Sequence, residues 1–368
     1  MDQKPPLNGF TENGADTCVG KSCRFSSKRI VVLDNRRRCI GTCHLVAFVL
    51  FVLFVVPFMF REFGFGFSTV RKTGSEHISA ALFDSLAVTS SGAADVPVTI
   101  SGTSGPDAII LYIIETNDRE TEAEITISTD TTTTPNTLSV TILSPRSVPR
   151  NSRARVIVDI ALPHDQLAAF KISADIGSFT YAKSAPDVKN SFKTGDIHVG
   201  SVHINAPLTT RLIDISAIVG SVNFDASITG TADLIVNSNT GSISFASSAF
   251  VSVDSSVVLS SSTGSIRVES VMSGAFEKLN IDARTGSVNL KEVSPLNEAV
   301  VTRIDARTGS VRADFRGFKG QYSAVTRVGS VRVSGHDVHS GAGGKGSSKG
   351  WVGDIGLGKG VVDVSSNV

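Results

Sequence analysis

The sequence predicts an all-β protein, a parallel β-helix of about 22 residues per coil, preceded by one transmembrane α-helix. Three observations carry this. A glycine returns nine times beyond residue 170, at Gly177, Gly200, Gly220, Gly241, Gly264, Gly286, Gly309, Gly329 and Gly353, with a mean spacing of 22 residues. Around each glycine, apolar and polar residues alternate with the period of a half-buried strand. Ile40–Phe60 runs for 21 residues without Asp, Glu, Lys or Arg.

Residues 1–39 are polar, lack an apolar period and read as a disordered, basic cytosolic tail. All four cysteines (Cys18, Cys23, Cys39 and Cys43) lie in the first 43 residues, so nothing downstream can form a disulfide within the chain. Cys18 and Cys23 lack companion ligands for zinc. Cys39 and Cys43 sit where a helix would enter a bilayer and are candidate lipidation sites, with two free thiols as the plainer reading.

Residues 40–60 span about 31 Å as a helix, the thickness of a bilayer core. The apolar run and its 39-residue leader are both too long for an ordinary cleaved signal peptide. Seven basic residues lie in 21–39 and three in 61–80, which keeps the N-terminus cytosolic and sends the larger domain across. Residues 1–60 carry a net +4 and the remainder a net −3. The near-neutral C-terminal bulk is a poor match for nucleic acid. No Asn-x-Ser/Thr sequon occurs anywhere.

Residues 61–94 read as a stalk, with Phe63, Phe65 and Phe67 at the membrane interface. Residues 95–170 are strand-rich without a clean glycine column and read as irregular first rungs or a cap. Thr131–Thr134 before Pro135 reads as a loop and a candidate for O-glycosylation. Residues 171–368 hold the regular repeats, interrupted by a Gly/Ser-rich loop over Ser340–Gly350.

Within the repeats, the residue before the glycine is β-branched in all nine units. A serine follows it in eight and an aspartate in the ninth. The second and fourth residues after it are apolar in nearly every unit, from Phe179 and Tyr181 to Ile355 and Leu357. A glycine corner with positive φ, two inward columns, a serine hydroxyl ladder, and three short strands with three turns per coil follow from this pattern. At about 4.8 Å per rung, nine rungs would make a rod of about 43 Å. A propeller needs about 40 residues per blade, and the Asn-Gly signals of hairpins are missing between the strands.

The recurring T-G-S-[VI] units resemble the bacterial and fungal adhesin-type β-strand-repeat domain family. The matching stretches are Thr240–Phe245, Thr263–Val268, Thr285–Leu290 and Thr308–Val311. Thr194–Ile197 and Gly353–Ile355 are similar to its G-D-[IV] variant, and Val156–Pro163 to the strand leading into its repeats. The resemblance covers roughly residues 95–360. It implies a right-handed single-stranded β-helix and no catalytic residues.

The outward columns offer Arg267, Arg312 and Arg332 after the corner. Before it stand Arg284 and Arg307, with Asp282 and Asp305 beside them. An Asp–Arg ladder on adjacent rungs is expected. Catalytic sites break a repeat, whereas structural ladders follow it, so the chain reads as a non-enzyme. His198 with His203, or His336 with His339, lacks further ligands for a metal. The threonine column Thr240, Thr263, Thr285 and Thr308 is interrupted by valines, unlike an ice-binding face. No cofactor is expected. The expected partners are the lipid bilayer and either cell-wall polysaccharide or a partner protein. The expected function is a membrane-anchored scaffold or adhesin-like protein presenting an extracytosolic surface, at the cell surface or in an organelle lumen. A membrane-tethered carbohydrate-active enzyme of β-helix type is the alternative.

Overall fold

In the computed structural model the described residues are 70–352, apart from 134–135, 151, 164–165, 298–299, 317–319, 336–337 and 341–346. The tail, the apolar stretch Ile40–Phe60, Cys39, Cys43, His336 and the ninth repeat at Gly353 lie outside them. Among the described residues no helix is long and apolar enough to cross a membrane.

The repeats wind into an all-β solenoid of about seven turns, roughly 22 residues each. Each turn has one strand before the glycine and one after it, the first being the longer except at Gly286, where Lys278–Thr285 and Val288–Pro295 have 8 residues each. The long strands stack in parallel from Gln166–Ile176 through Asp187–Val199, Leu212–Val219, Ile228–Thr240, Phe250–Thr263, Lys278–Thr285 and Val300–Thr308 to Gly320–Val328. The short ones stack from Phe179–Tyr181 through Val202–Ile204, Val222–Phe224 and Ile243–Phe245, and on to Val331–Gly335. Three short strands per coil were expected. Instead, register shifts such as those between Ile228, Thr231 and Asp233 let one strand bend across what would have been a turn.

The core is the stack of inward columns. Val202, Val222, Ile243 and Ile266 are fully buried two residues after the glycine, and Ile204, Phe224 and Val268 four after. Phe224 registers on Phe245 with ring centroids 4.4 Å apart and planes 2° from parallel. Nearer the start, Phe170, Phe179, Tyr181 and Phe192 form one aromatic knot, with centroids 4.9 to 6.3 Å apart. The buried Tyr181 hydroxyl donates to the Pro186 carbonyl. Desolvation, with Asp187 nearby, pushes its pKa far above the usual phenol range.

The N-terminal segment corrects the stalk expectation for residues 70–94. Ser85–Ser91 lies parallel between Asn136–Leu143 and Gln166–Ile176, with Leu86 and Val88 at 1 % exposure. Val98–Gly102 lies parallel between Ala154–Leu162 and Phe179–Tyr181. These strands extend the two stacks before the first glycine. Antiparallel strands then close both. Asp107–Thr116 covers Ala154–Leu162 and is covered by Val70–Ser79, while Thr126–Thr133 covers Asn136–Leu143. Thr131–Thr133 therefore belongs to a strand, not a loop, because its backbone groups pair with Asn136–Leu138. An α-helix, Arg119–Glu124, is capped by Asp118. At the other end, Ser347–Val352, which overlaps the expected Gly/Ser loop over Ser347–Gly350, pairs antiparallel with Gly320–Val328 and with Val338–Ser340. Antiparallel strands at both ends occupy edges that an open parallel stack would leave bare.

Candidate binding surface

The repeating corner organises the surface. Gly177, Gly200, Gly220, Gly241, Gly264, Gly286, Gly309 and Gly329 have φ between +142° and +151°. A side chain at any of the last seven would drive Cβ into the carbonyl oxygen of the glycine one rung earlier. Gly177 meets Val96 in the same way, so the capping segment supplies the corner that precedes the first repeat. Each glycine N–H from Gly177 to Gly309 donates to the carbonyl of the residue before the next glycine, at 2.7 to 2.8 Å. The ladder therefore runs unbroken around the corner.

The serine column takes a form that differs from a plain hydroxyl chain. The backbone N–H groups of Ser221, Ser242, Ser265, Ser287 and Ser310 each donate to the serine Oγ of the previous rung, at 3.2 to 3.3 Å. Hydroxyl meets hydroxyl between Ser330 and Ser310. The spiral climbs, so each amide points at its neighbour's side chain. Sequence reading missed a second column, three residues before the glycine. It is small and buried in most rungs: Ala217, Ser238, Ser261, Ala283, Ala306 and Thr326. The hydroxyls of Ser238, Ser261 and Thr326 donate to the carbonyls of Gly220, Gly241 and Gly309 at 2.8 to 2.9 Å. Its signal in the sequence was the recurrence of Ala, Ser and Thr at that offset.

The outward residues divide about this corner. Asp282 and Asp305 register with one another on adjacent long strands. Arg267, Arg312 and Arg332 stand on the short strands after the corner, in one column with Asn289 between the first two. The expected Asp–Arg ladder does not form. Arg267 pairs with Glu269 at 3.4 Å, and Asp305 reaches Arg303 at 4.0 Å. The carboxylates and the arginine column lie on opposite sides of the corner, and no ion pair joins them among the described residues. A depression between two rungs, lined by Lys278, Leu279, Asn280, Val301 and Arg303, has no carboxylate in its wall. His198 faces Asp175 at 3.4 Å and His203 faces Asn223 at 3.4 Å. Among the described residues no three His, Cys, Asp or Glu side chains group as a metal site.

A capped parallel β-solenoid with a glycine-corner ladder is the class of protein these features define. The chain belongs to the Toastrack DUF4097 family, whose model matches residues 86–367. That match begins at Leu86, in the first buried strand of the cap. No curated protein sequence matches the chain. Similar solved structures include a candidate cell adhesion protein from Clostridium sporogenes, at 12 % identity and a TM-score of 0.32 over 61 % of this chain and 100 % of that one. A candidate adhesin from Parabacteroides distasonis gives 15 % identity and a TM-score of 0.36 over 72 % and 97 %. A candidate lipid binding protein from the same species gives 15 % and 0.29 over 72 % and 96 %.

Proposed function

We propose that this protein is a membrane-anchored scaffold of adhesin type. It holds a right-handed β-solenoid on the extracytosolic side as a surface for cell-wall polymer or a partner protein. The observation that carries this reading is the unbroken corner. Eight glycines share one conformation, and no rung breaks the repeat with converging carboxylates among the described residues. An enzyme concentrates its polar groups in one concave place. Here the outward charged groups recur on successive rungs instead of converging on one place, which suits binding along a length. The anchor in this reading is Ile40–Phe60, with the basic cluster of 21–39 on the cytosolic side against anionic lipid.

Protease protection on intact cells tests it, using tags at both termini. The expected result is loss of the C-terminal tag to external protease with the N-terminal tag retained. Protection of both tags in a membrane-bound protein would remove the cell-surface reading. Release of the chain from membranes by carbonate would remove the anchor.

A further inference from the structure

Charge is unevenly distributed along the corner. At the corners of Gly177, Gly200, Gly220 and Gly241, the flanking outward positions hold Asp175, His198, Ile218 and Asn239 before the glycine. After it come Thr180, His203, Asn223 and Ser244. Neither set contains Arg or Lys. From Gly264 to Gly329 the same positions hold six exposed arginines: Arg267, Arg284, Arg307, Arg312, Arg327 and Arg332.

They form two lines. Ala283, Ala306 and Thr326 register in turn on adjacent rungs, as do Thr285, Thr308 and Val328, which sets Arg284, Arg307 and Arg327 in one column between them. Arg312 registers directly with Arg332 on the other side of the corner. Among the described residues, no carboxylate pairs with Arg284, Arg307, Arg312, Arg327 or Arg332. Like charges on neighbouring strands, about 4.8 Å apart, repel one another. A repeat that served only to stack would gain by alternating their sign. Asp282 and Asp305 are near in sequence yet do not pair with these five side chains.

We infer that this arginine-flanked corner binds a linear acidic polysaccharide laid along the solenoid axis. The inference rests on the scaffold reading above and gives that surface a ligand class. Guanidinium groups grip carboxylate or sulfate with two parallel hydrogen bonds. Two lines of them at rung spacing match an anion that repeats along a chain better than one small anion. The strip between them is Thr285 and Ser287, Thr308 and Ser310, Val328 and Ser330, so no aromatic ring is present there to stack a nucleobase. Val328 is its one large exposed apolar residue, too little for insertion into a lipid surface.

The test uses the full chain in nanodiscs of zwitterionic lipid, with polygalacturonate as the probe and uncharged dextran as the comparison. Wild type should bind polygalacturonate and not dextran, and added salt should weaken the complex. Replacing Arg307, Arg312, Arg327 and Arg332 together by Gln should lower affinity about tenfold or more, close to 1.4 kcal/mol. The melting temperature should not fall, because these side chains are exposed and their replacement removes like-charge repulsion. Lysine at the same four positions should bind more tightly than the Gln variant and less tightly than wild type, because it keeps the charge but not the paired hydrogen bonds. The inference is overturned if the Gln variant binds as wild type does, or if Arg36→Gln, Arg37→Gln and Arg38→Gln in the tail cause the loss instead. Preference for anionic vesicles or an oligonucleotide over polygalacturonate also overturns it. Binding to dextran alone would overturn the inference and leave the scaffold reading standing. Protection of the C-terminal tag from external protease in the intact-cell experiment would remove the cell-surface reading, whatever the polysaccharide result.

Discussion

A methyl group on Gly286 would have to share space with the carbonyl oxygen of Gly264, in a backbone conformation at φ +146° that L side chains avoid. Gly286→Ala should therefore cost on the order of 4 kcal/mol, combining backbone strain with displacement of a hydrogen-bonded rung. Gly230 also has positive φ, +64°, but its Cβ would meet only the Thr209 Cγ2 at 3.9 Å. Gly230→Ala should cost about 1 kcal/mol. Urea unfolding of the two variants separates close approach from mere handedness, and equal losses would refute the corner geometry. The inward columns give a second contrast. Val288 is 1 % exposed between Ile266 and Val311, so Val288→Asp strands a charge in the core and should cost on the order of 4 kcal/mol or prevent folding. Arg312, one residue beyond Val311, is exposed, and Arg312→Ala should stay within about 0.5 kcal/mol. Matching melting temperatures for Val288→Asp and wild type would show the register to be wrong.

The α-helix Arg119–Glu124 shows how a short element is held in a β protein. Arg119–Glu124 has six residues, too few to persist on propensity alone. Asp118 caps it, accepting from the Glu120 and Thr121 amides at 3.2 and 3.3 Å and from the Thr121 hydroxyl at 2.5 Å. The Thr121 hydroxyl bond, helped by the two amides, holds the Asp118 carboxyl below its ordinary value of 3.8. A lowered folded pKa means the stabilisation is complete above that ordinary value and fades as pH falls through the folded one. Melting curves of wild type and Asp118→Ala should thus differ at neutral pH and converge in strong acid. A gap that persisted unchanged to low pH would show that the carboxylate charge has no part in the cap.

In a stack where each rung touches mainly its neighbours, stability is distributed along the axis and is lowest where neighbours are missing. Val331–Gly335 pairs on one side only among the described strands, with Val311–Phe315, and Val331 and Val333 are half-buried where Val311 is 1 % exposed. Among the strands that follow the corner glycines, hydrogen exchange should be slowest at Val222–Phe224 and Ile243–Phe245 and fastest at Val331–Gly335. Uniform protection would mean that the solenoid opens as one unit. The solenoid itself was legible in the chain because its period is local. A glycine, the β-branched residue before it, the serine after it and the alternation beyond them recur within a window of a few residues, and stacking amplifies whatever recurs. The cap was not legible as such. Ser85–Ser91 and Val98–Gly102 lack the glycine, and their partners Gln166–Ile176 and Phe179–Tyr181 lie some 80 residues along the chain. No periodicity within one segment encodes a pairing of that range, so only the folded chain selects it. The candidate surface divides in the same way. The arginine columns follow from the repeat once the corner is placed, because strand alternation sends them outward. Which carboxylates reach them is set by the turn of the corner and by side-chain reach, and that assigned Glu269 to Arg267 while leaving Asp282 and Asp305 across the glycine from Arg267, Arg312 and Arg332.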